Sequence, residues 1–165
     1  MSATIVETKK APPLTPVELQ DAVHEYINQT RWATLTTVRE DGAPVSRAMG
    51  SFAAEGVNLF FSTPKSAGKV RHIAGNPLVN FFFQHENQEL ATFRNVAVIG
   101  RAEELTGAEY DRAVQLLSAR NLCFKTRAER GELKDTALYL IRTTEIKYLN
   151  YANGIGPAAV QEIIL

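Results

Sequence analysis

The stretch Leu59–Pro77, LFFSTPKSAGKVRHIAGNP, constrains the chain more than any other. It opens as a strand, with Val57, Leu59 and Phe61 on one face. Pro64 ends the ladder because it has no amide donor. Ser66 is placed to cap a helix whose first turn is Ala67, Gly68 and Lys69. Val70, Ile73 and Ala74 give that helix its apolar side, and Asn76-Pro77 stops it.

A helix start carries partial positive charge and free N–H groups, so a lysine there is disfavoured by about 0.3–1 kcal/mol. Lys65 and Lys69 nevertheless flank this start, with Arg71 and His72 close behind. Between Asp41 and Glu86 the only carboxylate is Glu55. Ser62, Thr63 and Ser66 add hydroxyls. Such a set suits an anion, phosphate above all. A solvated basic turn accounts for the same residues, and the stretch alone leaves both readings open.

Composition narrows the function classes. The 165 residues balance 18 lysines and arginines against 18 aspartates and glutamates, which argues against a nucleic-acid or membrane-surface partner. One domain is expected. A single Cys123 excludes an internal disulfide and any multi-cysteine metal site, and suits a reducing compartment. No apolar run approaches the roughly 18 residues of a membrane span. The opening residues lack the apolar core of a signal peptide. A cytoplasmic protein is the expectation.

Residues 1–14 are expected to be a flexible arm, residues 15–152 the main domain and residues 153–165 a tail packed on it or on a partner. Thr15-Pro16-Val17-Glu18 predicts a capped helix start, with Leu19, Ala22, Val23, Tyr26 and Ile27 in helical register. Strands are expected over Trp32–Val38 and Ala43–Phe52, joined at Asp41-Gly42. Val45, Arg47, Met49 and Ser51 then share a face, so Arg47 has apolar neighbours. Leu78–Phe83 predicts a buried strand, and Ala91–Leu105 a long one bent near Gly100. Thr106–Glu109 predicts a second capping box, with Tyr110, Ala113, Val114 and Leu117 inward. Ala119–Asp135 gives no clear pattern. Thr136–Ile141 and Glu145–Tyr151 predict two last strands. Together these make a mainly β (α+β) chain: a six- to seven-stranded antiparallel barrel with flanking helices.

Other constellations carry less. His24, His72 and His85 lack metal-ligand spacing, and no metal site is expected. Cys123, between Leu122 and Phe124, is expected to be buried and inert. No side chain stands out as a catalytic acid, base or nucleophile.

The order of these segments resembles the pyridoxamine 5′-phosphate oxidase-like family of FMN-binding split β-barrels. The likeness spans about Thr15 to Tyr151 and rests on four places: ATLTTVREDGAPVSRAM, LFFSTPKSAGKVRHIAGNP, LVNFFFQ and RNVAVIGRAEEL. It implies a split barrel with FMN as cofactor. By this resemblance Arg47 and Lys69 bind the FMN phosphate, helped by Ser62, Thr63 and Ser66. The backbone of Ala48, Met49 and Gly50 lies along the flavin ring. Asn95, where the family commonly has glutamine, and Gln84 contact the cofactor from the partner of a homodimer. Phe52 replaces a lysine used by true pyridoxamine phosphate oxidases, no arginine follows Arg142, and no histidine follows His85. The chain therefore looks more like the general stress protein branch than like enzymes that oxidise pyridoxamine phosphate or degrade haem. The reading is an FMN oxidoreductase of unknown substrate. The alternatives are a non-catalytic flavin-binding sensor and a deazaflavin-dependent reductase.

Overall fold

The structure, a computed structural model, describes residues 11–165. Most of the expected arm, residues 1–10, lies outside them. The chain enters at helix α1, Pro16–Gln29. Its start is the capping box predicted: the Glu18 amide donates to Thr15 Oγ1 at 3.4 Å, and the Thr15 amide to Glu18 Oε2 at 2.8 Å. Leu19, Val23, Tyr26 and Ile27 are buried, as their spacing requires.

Eight strands follow: β1 Ala33–Val38, β2 Pro44–Met49, β3 Phe52–Glu55, β4 Asn58–Pro64, β5 Leu78–Gln84, β6 Arg94–Glu104, β7 Thr136–Asn150 and β8 Val160–Ile164. Helix α2, Gly68–Gly75, sits between β4 and β5, while α3, Gly107–Arg120, and α4, Leu122–Glu129, lie between β6 and β7. The pairing order is β2-β1-β5-β6-β7-β4-β3, all antiparallel, with β8 added to β7. The two ends of this order, β2 and β3, are joined by the corner Gly50-Ser51 but do not pair. That gap is the split of an α+β split barrel.

Three differences from the expected strands explain the count. The segment expected as one strand over Ala43–Phe52 turns at Gly50-Ser51, because β2 pairs with β1 and β3 with β4. The Trp32 ring fills the place of a Gly50 side chain, with Cζ3 2.6 Å from where a β-carbon would stand. The two last strands expected run on as a single β7. A register shift at Ile99/Gly100 bends β6 and keeps this long strand paired. A β-carbon on Gly100 would fall 2.4 Å from the Arg142 carbonyl oxygen, so only glycine fits the bend. The tail adds β8, and Gln161 exchanges two hydrogen bonds with the Leu14 backbone.

The inner core gathers the inward side chains of the strands with those of α1 and α2, led by Phe52, Phe61, Phe81, Phe83 and Tyr139. The Phe61 and Tyr139 rings stack at 5.0 Å. A second cluster packs Ala113, Leu117 and Phe124 of α3 and α4 on Phe60, Leu138 and Leu140. The outward half of the barrel over β3, β4 and β7 is therefore covered by the chain's own helices. Over β1, β5 and β6 the outward Phe82, Ala97 and Ile99 join neither cluster. The capping box expected at α3 does not form: Thr106 takes the cap position without a side-chain bond.

Candidate functional site

The strand pairing sets the site. Leu35 stands opposite Arg47, and Thr37 opposite Val45. Arg47 thus points to the inner face, at the edge strand beside the split. Its Nη1 donates to Thr37 Oγ1 at 2.7 Å and to the Leu35 carbonyl at 3.3 Å. Thr37 is fully buried, and its Oγ1 also bonds His72 Nδ1 at 2.8 Å. One turn earlier on α2, Lys69 donates to Thr63 Oγ1 at 2.8 Å. Thr63 is buried too. Two buried threonines therefore hold two cations, one on each side of the split.

Neither cation has an acid. The ion pairs among the described residues involve neither Arg47 nor Lys69. Burial lowers the pKa of Arg47, and burial followed by the Arg47 charge lowers that of Lys69. Arg47 has five N–H donors and spends two, both on Nη1; Lys69 has three and spends one. The remaining donors sit on half-buried side chains and have no hydrogen-bond partner among the described residues. Helix α2 begins next to them with no side-chain cap. Ser66, expected as the cap, lies one residue too early, because Ala67 takes that position. The first turn thus keeps free amides for a ligand.

Ser62 and Ser51 join β4 to the corner, their hydroxyls 2.5 Å apart. Ser66 is exposed before α2. Ala48, Met49 and Gly50 form the end of β2 and the corner. Gln84 and Asn95 are cross-strand partners on β5 and β6. They stand two and three strands from β2, about 10 and 14 Å at the usual strand spacing. One chain therefore brings Arg47, Lys69 and Thr63 together, turns Ser62 to the other face of β4 toward α4, and leaves Gln84 and Asn95 apart.

Three features escape sequence reasoning. Thr37 is one of several hydroxyls on β1, and only the register singles it out. His72, for which the sequence marks no partner, joins α2 to Thr37. Helix α4, from the stretch without a clear pattern, closes a cavity of about 210 Å³ lined by Ser51, Ser62, Thr63, Asn121, Cys123 and Arg127. Cys123 is exposed there, not buried, because Phe124 is the residue α4 turns inward. Among the described residues no group of three or more His, Cys, Asp or Glu side chains is placed to hold a metal. No described helix is long and apolar enough to cross a membrane.

A sequence model described as pyridoxamine 5′-phosphate oxidase matches residues 19–150. The chain belongs to that family. No curated protein matches it. Among solved structures it is similar to General Stress Protein 26 from Bacillus anthracis, with 22% identity and a TM-score of 0.67 over 89% of this chain and 98% of that one. It is also similar to a heme binding protein from Mycobacterium smegmatis, with 15% identity and a TM-score of 0.73 over 92% of this chain. It spans only 60% of that protein. Rv2991 from Mycobacterium tuberculosis gives 20% identity and a TM-score of 0.68 over 90% and 94% of the two chains. At these identities the likeness is one of fold.

The pKa of His72 is lowered from the ordinary 6.5, by burial first and then by Arg47, Arg71 and Arg39, with Asp41 opposing. Between that lowered value and 6.5 the unfolded chain binds more protons than the folded one, so stability falls as the pH drops through this window. Taking the ligand-free protein from about pH 7 to about pH 5 should lower its denaturation midpoint, and His72→Gln should reduce that loss. Equal losses in parent and variant would contradict the placement of His72 among these cations.

Proposed function

We propose that the chain is an FMN-binding oxidoreductase that works as a homodimer. The observation that carries the reading is the pair Arg47 and Lys69, held by buried threonines at an uncapped helix start with no carboxylate between them. A phosphate monoester carries the charge and the acceptors this set lacks. In the proposal Arg47 and Lys69 grip the FMN phosphate, with the hydroxyls of Thr63 and Ser66 beside it. The backbone of Ala48, Met49 and Gly50 lies along the ring, and Asn95 and Gln84 reach it from the partner. Bound flavin would supply hydride or single-electron transfer; the chain's own groups bind, orient and shield it. Turnover of a reductant such as NAD(P)H separates an enzyme from a flavin-binding sensor.

The uncovered half of the barrel supports the dimer. Phe82, Ala97 and Ile99 stand on its outward face without a covering helix. Among the described residues the one buried side-chain oxygen or nitrogen without a partner, Asn80 Oδ1, lies on the same strand face as Phe82. A second copy on this face would cover the apolar side chains and bring Gln84 and Asn95 to the other copy's flavin.

FMN should bind far more tightly than riboflavin. Arg47→Ala and Lys69→Ala should each weaken FMN by roughly 10- to 150-fold, the equivalent of about 1.5–3 kcal/mol for a charge-assisted hydrogen bond. Equal affinities for FMN and riboflavin in a fluorescence titration would overturn the phosphate assignment. Light scattering should give twice the 18.2 kDa chain mass. A monomer that still holds FMN tightly at micromolar concentration would sink the shared site.

A further inference from the structure

A large aromatic side chain stands exposed where the proposed ring site begins. Trp32, the chain's one tryptophan, is 54% exposed. It precedes β1, at the end where β2 runs into the corner Gly50-Ser51. The next residue, Ala33, pairs with Met49 on one side and with Phe83 on the other, and all three side chains lie in the inner core. Alternation along the strands therefore turns Trp32, Gly50 and Gln84 to the outer face. Gln84 in turn pairs with Asn95. Gly50, Trp32, Gln84 and Asn95 thus form one row across β2, β1, β5 and β6.

The indole leans along this row toward the edge strand. Cζ3, Cε3 and Cη2 of its six-membered ring lie 2.6, 3.2 and 3.2 Å from where a Gly50 β-carbon would stand. So close an approach requires glycine. Among the described residues β2 pairs only with β1, so its other edge is open. On the opposite side Trp32 shares a cavity of about 190 Å³ with Gln84 and with Arg31, whose Cζ is 6.0 Å from the ring centroid. Gly50 follows Arg47 by three residues, about 10 Å of extended chain. The row is therefore within reach of a ring tied by a short polyol chain to a phosphate at Arg47. An aromatic face beside two side-chain amides offers a heteroaromatic ring both stacking and edge hydrogen bonds.

We propose that Trp32 is a ring-binding residue of this site: its indole contacts the flavin ring at Gly50 and selects for a planar ring there. The inference rests on the flavin reading of the cation pair, and it adds a contact that the paired cations do not supply.

Titration of the parent, Trp32→Phe and Trp32→Ala with FMN, read by calorimetry and by flavin emission, tests it. Contact with an indole quenches flavin emission, so FMN bound to the parent should be dark. Trp32→Phe should hold FMN within about threefold of the parent but bind it bright, and Trp32→Ala should weaken it about 5- to 10-fold. Inorganic phosphate should bind all three proteins alike. FMN that is bright on the parent, or that binds both variants as tightly and as darkly as the parent, would overturn the ring contact and leave the flavin reading standing. Loss of phosphate binding along with FMN in Trp32→Ala would make the residue a support of the fold and also overturn it. If FMN fails to bind the parent, the flavin reading falls and the ring contact falls with it.

Discussion

Arg47 and Lys69 carry like charges, yet the fold holds them side by side at the split of the barrel. Each is anchored by a threonine buried beneath it, and neither has an acid. Burial acts against both charged forms, and the Arg47 charge adds to it at Lys69. An anion between them reverses the balance, because each charge-assisted bond contributes about 1.5–3 kcal/mol. The ligand-free site thus leaves both charges without a counter-charge among the described residues.

That architecture starts from the sheet. The pairing order puts β2 and β3 at opposite ends, so the corner Gly50-Ser51 leaves a gap instead of a ladder. Arg47 stands on one side of the gap. Thr63 and α2 stand on the other. The bend at Gly100 lets β7 serve β4 with its first half and β8 with its second. One half of the outer surface is then sealed by α3 and α4, and the other carries no covering helix.

Much of this was legible in the residues. Pro64 and Asn76-Pro77 bracket α2 in the sequence as in the structure. The missing carboxylates around Lys65–His72 are visible in the sequence, where they suit an anion site and a solvated basic turn alike. Capping chemistry succeeded at Thr15, where Glu18 completes the box, and failed at Ser66 and Thr106. A hydroxyl caps only if the backbone turns at its own residue, and the turn comes at Ala67 in α2. Thr37 was not legible, since its importance comes from a register shared with Arg47 and from His72 on a distant helix. Helix α4 was not legible either: it has one buried residue, Phe124, and no stripe to betray it. Its Cys123 faces outward for the same reason.

A crystal structure of the protein grown with FMN tests the central claim most directly. It should place the phosphate within about 2.7–3.2 Å of Lys69 Nζ and of a free Arg47 guanidinium nitrogen, with Thr37 and Thr63 still beneath them. Flavin bound with its phosphate away from both cations, or both cations unchanged and facing only water, would contradict it.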